Sequence, residues 1–455
     1  MRAFVTGAAA LSICSCAGDE AFEQPSAFPA GAASVDDHGT LAFSQPLPTL
    51  PRELSNQFFV GNSLFSQNWV IAPSSTDARD GLGPLFNAQA CSSCHFKDGR
   101  GAPPTEDPRA LGLLFRVSAV GASGELRPHP VFGDQLHPRA VGGVEAEGEV
   151  GIELHDVTGQ YDDGTSWSLA APTYTLAPQS GDAIPVVLSP RIAPQMIGLG
   201  LIEAIPEQDI LTKVDEWDED GDGISGRANY VINPRTGERQ LGRFSWKANS
   251  TTVEHQVAGA FLGDLGITSP LFPHESCTVA QADCLAAATG ANSDGVEINE
   301  QRLANVVLYS SVLAPPIRTN ADDPVVRRGA ELFYAMQCTG CHTPSYTTGP
   351  HPIEGIEGHE IWPFTDLLLH DMGPALADGR PDGLANGREW RTPPLWGIGL
   401  FQAVNDHTRY LHDGRARSLE EALLWHGGEA EASQQSFLAA SAADRSALII
   451  FLESL

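Results

Sequence analysis

Two pentapeptides constrain this chain more than anything else in it: Cys91-Ser-Ser-Cys94-His95 and Cys338-Thr-Gly-Cys341-His342. Two cysteines three apart with a histidine directly after them form the attachment pattern of a c-type haem. The two thioethers clamp one edge of the porphyrin, and the next imidazole falls beneath the iron. A zinc ribbon also uses paired cysteines. It leaves both histidines unexplained, and the pairs lie 247 residues apart, from Cys91 to Cys338. The expectation is two covalently bound haems, with His95 and His342 as proximal ligands. The chain must then wrap two flat apolar plates.

The flanks carry the same message. DDPVVRRGAELFYAMQ precedes the second motif, and its Val326, Leu332, Phe333 and Met336 recur at a helical period. FFVGNSLFSQNWV and GLGPLFNAQA precede the first in a similar way. The predicted fold is mainly α with long loops and minor β, the β confined to a Gly/Pro/Thr-rich insert from Gly112 to Gly242. Two cytochrome c-like haem domains are expected, at 51–320 (with the insert) and 321–455. The prolines and charges of APPIRTNADDP separate them.

The start of the chain, MRAFVTGAAALSICSC, resembles a secretion signal over 1–16, and Ile13-Cys14-Ser15-Cys16 resembles a bacterial lipobox with Cys16 acylated. An ordinary signal cut nearby is the alternative. Residues 17–50, rich in Ala, Gly, Pro, Ser and Asp, read as a flexible tether. The expected location is the periplasm or cell surface, with the membrane reached only through a lipid anchor. In that oxidising setting Cys277 and Cys284 are expected to pair, free thiols being the alternative. The chain of 455 residues has 57 acidic and 27 basic side chains, a formal charge of −30. That excludes nucleic acid, whose binding needs clustered cations. It leaves small neutral substrates or a basic protein partner steered in by the field.

The C-terminal stretch carries a closer likeness. Arg391-Thr-Pro-Pro-Leu395, Tyr410-Leu-His412-Asp413-Gly414-Arg415-Ala and Ser418-Leu-Glu-Glu-Ala resemble the di-haem cytochrome c peroxidase/MauG superfamily, as does Asp366-Leu-Leu-Leu-His370-Asp371-Met372-Gly373. The wide motif spacing, Phe132-Gly-Asp-Gln135-Leu and DGDGISGR are similar to its di-haem oxidoreductase branch. The resemblance covers about Pro51 to Leu455. It implies a sixth iron ligand twelve residues past Gly414, which is His426, against the alternative of a surface histidine. Histidine on both faces implies a lower potential than His/Met ligation. It also implies a catalytic haem on His95, with Gln135 and a glutamate above it. Glu145 has the peroxidase spacing and Glu147 the branch's own pattern; a solvated acidic loop is the alternative. His129, His137 and His155 lie nearby in sequence as further candidates for that iron. His412 matches the superfamily's loop histidine.

Other residues are read from chemistry alone. Asp218, Asp220 and Asp222, alternating with Gly221 and Gly223, make half of an EF-hand-like loop for calcium, or an acidic turn. Arg391 and Arg415 suit haem propionates or solvent equally. Trp167, Trp362, Trp390, Trp396 and Trp425 are unranked candidates for a relay between haems. The expected activity is that of a peroxidase-like oxidoreductase taking hydrogen peroxide or another small oxidant, with a small redox protein as donor or acceptor. The alternative is a di-haem electron-transfer cytochrome without substrate chemistry of its own.

Overall fold

A computed structural model describes residues 22–76, 78–107, 109–179 and 185–455. The signal and lipobox readings, with Cys14 and Cys16, lie outside the described residues.

Each motif is reached through a helix that docks on a later one. Helix Ser55–Ser66 buries Phe58, Gly61, Leu64 and Phe65, one stripe at helical spacing. It crosses helix Glu300–Ser311 at Gly61, where a Cβ would come within 2.1 Å of the Asn305 carbonyl oxygen. Helix Pro324–Ala335 starts on Asp323, whose carboxylate accepts from Val325 N–H, with proline in its first turn. It crosses helix Ala442–Ser454 at Gly329, where a Cβ would stand 2.1 Å from the Ala447 carbonyl oxygen. In both halves the missing side chain lets two backbones touch. Phe65 then lies 6.2 Å from the His95 ring and Phe333 6.1 Å from that of His342.

The chain is not mainly α. It is 27% helical and 19% strand. The strands do fall in the 112–242 insert for the most part, but they are longer than minor β implies. Leu126–Arg127, Leu113–Val120 and Val186–Ile192 form an antiparallel sheet in that spatial order. Gly148–Gln160 and Ser166–Pro178 pair from Gly148↔Pro178 to Gln160↔Ser166, thirteen residues in each strand. Here alternation outweighs the glycines and prolines. Val150 and Ile152, with Tyr174 and Leu176 opposite, send one face onto Phe115, Val117, Phe132 and Leu136.

Residues 22–50 do not form the expected tether. Ala30, Ala33, Ala42 and Phe43 are fully buried. Val35 bridges to Pro316 and Pro46 to Leu313, and Trp362 N–H donates to the Pro29 carbonyl at 2.7 Å. The small residues that suggest a flexible linker are also those that fit a narrow seam. Buried apolar side chains from both sides of residue 320 make one contiguous core. Cys277 and Cys284 form a disulfide. Among the described residues, no helix is long and apolar enough to cross a membrane.

Candidate functional site

One cavity of about 810 Å³ touches both pentapeptides. At each motif a single tight turn, Cys91–Ser93 or Cys338–Gly340, sets the two sulfurs on the cavity wall. The backbone then closes on itself: His95 N–H donates to the Cys91 carbonyl and His342 N–H to that of Cys338, both at 2.9 Å. His95 Nδ1 lies 2.7 Å from the Pro194 carbonyl oxygen, and His342 Nδ1 lies 2.9 Å from that of Phe364. A carbonyl can only accept, so each Nδ1 carries the hydrogen and each Nε2 keeps its lone pair. Second-sphere bonds of this kind orient a metal-binding imidazole. Burial lowers both rings to about 4, so they are neutral. The four cysteines are unpaired. Burial pushes Cys91 and Cys338 up to about 12, and Cys94 and Cys341 up as well, which leaves protonated thiols rather than reactive thiolates.

The lining suits two planar dianionic groups. Arg100, Arg243 and Arg391 reach the cavity. Arg391 donates to the Ser245 and Thr392 carbonyls at 2.8 and 3.0 Å, and Arg100 Nε to that of Arg409 at 2.7 Å. Burial lowers Arg100 and Arg391 to about 10, the mark of cations short of counter-charge. Carboxylates entering the cavity would supply it. Arg415 is placed elsewhere: it pairs with Asp413 at 2.8 Å. The donor set does not suit one zinc. Among the described residues, the only three or more His, Cys, Asp or Glu ligand atoms within 4.8 Å of one another belong to Asp215, Asp218 and Asp220.

His426 lies on the same cavity at the end of helix Leu419–Trp425. Its Nδ1 donates to the Ala422 carbonyl at 2.6 Å, so its Nε2 is left free, as at the two motif histidines. Beside the second motif, His370 is clamped between Asp366 and Glu429, 2.7 Å on either side. Burial pushes His370 down, but the carboxylate of Asp366 beside it helps to hold the ring well above its ordinary value.

Around the first motif the glutamates do not reach the cavity. Glu147 is buried away from it: one oxygen takes His137 N–H and Nδ1–H at 2.6 and 3.1 Å, and the other takes Gln281 Nε2–H at 2.6 Å. Its carboxylate is spent on shaping a loop. Glu145 is exposed, and its backbone N–H donates to Asp283 at 2.7 Å. His137 lies on the cavity, but its Nε2 is 2.9 Å from the Gly263 carbonyl oxygen, so both ring nitrogens face acceptors. His129 accepts from Val131 and Phe132 N–H, and His155 is exposed on the ribbon. Gln135 does line the cavity. Its neighbour there is Asp264, 2.9 Å from Gln135 Nε2, which sequence reasoning missed.

On the cavity wall Trp390 stacks on His412, ring centroids 3.7 Å apart. Lys247 Nζ lies 4.5 Å from its ring and the Arg191 guanidinium 5.0 Å. Trp390 and Trp396 line the cavity, Trp425 faces a smaller neighbouring pocket, and Trp167 and Trp362 face neither. At the acidic loop, Asp218 and Asp220 converge with Asp215. Asp222 turns instead to accept Ile224 N–H at 2.8 Å.

Two half-buried motifs on one shared cavity lined by arginines fit a redox protein built around two haems. The chain belongs to the di-haem oxidoreductase family: the model described as "Di-haem oxidoreductase, putative peroxidase" matches residues 27–109 and 128–455. No curated protein matches it. A solved structure of Kuenenia stuttgartiensis hydrazine synthase, pressurised with xenon, aligns over 91% of this chain and 94% of that one. Its identity is 12% and its TM-score 0.30, a likeness too slight to carry an argument.

Proposed function

We propose that the protein is an exported, peroxidase-like oxidoreductase. Cys91, Cys94 and His95 would hold one covalent haem, and Cys338, Cys341 and His342 the other with His426 as its sixth ligand. The observation that carries this is the repeated anchoring of His95 and His342 by Nδ1, with both Nε2 atoms left for one shared cavity. When bound, the haems supply iron that stores and passes single electrons. The net reaction is H₂O₂ + 2H⁺ + 2e⁻ → 2H₂O, the electrons coming from a small redox protein. The chain's residues do the rest. Arg100, Arg243 and Arg391 neutralise propionates, and the apolar lining excludes bulk water. The formal charge of −30 favours a basic donor. Asp215, Asp218 and Asp220 form the better set for a structural calcium.

Mass spectrometry of the mature protein should show two covalent haems, and steady-state assays with an artificial donor should show peroxide consumption. Two haems without peroxide turnover would make the protein an electron carrier instead. Zinc without haem would overturn the whole reading.

A further inference from the structure

We propose that Asp264, set by Gln135, is the group that gives and takes the proton in the chamber above the first motif. This rests on the peroxidase reading and replaces the two glutamates in it. Asp264 lies in the last turn of helix Val253–Leu265 and lines the cavity with Cys91, Cys94 and His95. Its position is fixed from behind: its backbone carbonyl accepts Asn87 and Ala88 N–H at 2.7 and 3.2 Å, just before Cys91. The same helix brings Gly259, Ala260 and Gly263 to the cavity, residues with almost no side chain to fill it. A small molecule therefore has room beside the one carboxyl on that wall.

The surroundings select a carboxyl that can hold a proton. Gln135 Nε2 lies 3.0 Å from Asn87 Oδ1, 2.8 Å from the Gly263 carbonyl oxygen and 2.9 Å from Asp264 Oδ1. An amide has two hydrogens for those three acceptors, so one acceptor goes without. Asp264 alone among the three can resolve this by protonation. The negative end of its own helix also opposes ionisation. Burial raises its pKa, against the lowering pull of Gln135, Arg116 and His137. Arg116 extends the chain, its Nη1 3.4 Å from Gln135 Oε1.

In the reaction one O–O bond breaks, and two electrons arrive from the reduced redox protein. The Asp264 carboxylate takes a proton from the entering peroxide and returns it to the departing oxygen, which leaves as water. Two solvent protons and the two electrons then complete the second water.

The test uses the holoprotein and two readouts. Hydrogen cyanide must surrender its proton as cyanide binds ferric iron, so its association rate reports the proton acceptor without turnover. Asp264→Asn should slow both cyanide association and peroxide consumption by about 10²–10⁴-fold, with haem content unchanged. Asp264→Glu should recover part of both, and Glu145→Gln should match the parent. Parent-like cyanide association in Asp264→Asn would refute the assignment. If the parent consumes no peroxide but its cyanide association still depends on Asp264, the peroxidase reading falls and the assignment stands. A parent that binds no cyanide has no open iron and overturns both.

Discussion

Lys247 offers a quantitative test of what holds together the charge cluster that reaches the cavity through Arg191 and Asp382. Its side chain is fully buried. Nζ donates to Asp378 at 2.9 Å and to the Arg380 and Asn386 carbonyls at 2.8 Å. Asp378 also accepts from Ser189 Oγ–H at 2.5 Å and pairs with Arg191 at 3.4 Å. Arg191 and Arg380 reach Asp382 at 3.1 and 2.8 Å. The cluster therefore holds three cations, Lys247, Arg191 and Arg380, against three anions, Arg380 also pairing with Asp134 at 3.3 Å. Lys247→Met still leaves Asp378 and Asp382 each with a guanidinium. Two carbonyls lose their donor. Breaking a buried pair by deleting one partner costs about 3–5 kcal/mol, and the surviving arginines place this case near the lower end, about 3 kcal/mol. Asp378→Asn strands Lys247 and belongs at the upper end, about 5 kcal/mol. Equilibrium unfolding in urea, followed at the haem absorbance band, measures both. A Lys247→Met protein within about 0.5 kcal/mol of the parent, the scatter of ordinary surface changes, would refute the reasoning.

Two further outcomes are expected. His426→Ala should convert one low-spin ferric haem to high spin in the EPR spectrum while both haems stay attached; an unchanged spectrum removes His426 from the ligand set. Glu275, raised from 4.5 to about 8 by burial and then by Glu297 beside it, binds its proton more tightly folded than unfolded. Stability from this group is intact below about 4.5 and is lost as pH rises towards 8. Glu275→Gln should flatten the fall in unfolding free energy across that window, and an unaltered slope would exclude Glu275 as its source.

The two-haem reading was legible because the pentapeptide spacing is local. Cys91 and Cys94 must sit three apart whatever the fold does around them. Helix Pro324–Ala335 was legible too, from its apolar period, although its Asp323-Pro324 start was read as linker. Asp264 was not, because 129 residues separate it from Gln135 and only the tertiary fold joins them. A faint signal existed: in VEHQVAGAFLGDL an aspartate closes an apolar helix, at the end where the dipole disfavours it. Glu147 misled for the opposite reason. It is near Gln135 in sequence, but its backbone runs into the ribbon and turns the carboxylate onto His137. The β content was underweighted because glycine and proline were counted as breakers where alternation decided the outcome.

The packed segment 22–50 would shorten any tether that leads from Cys16 to the body. Phe22 is docked on Tyr334, ring centroids 5.2 Å apart. If Cys16 is acylated, six residues connect the lipid to a fixed point on the body, a reach of roughly 20 Å at full extension. A free tether running to Pro51 would have allowed roughly 115 Å. The anchored protein would thus ride against the bilayer surface, with its Tyr334 side towards the lipid. A soluble donor would have to approach from the opposite hemisphere, and a donor embedded in the same membrane would have to meet it laterally.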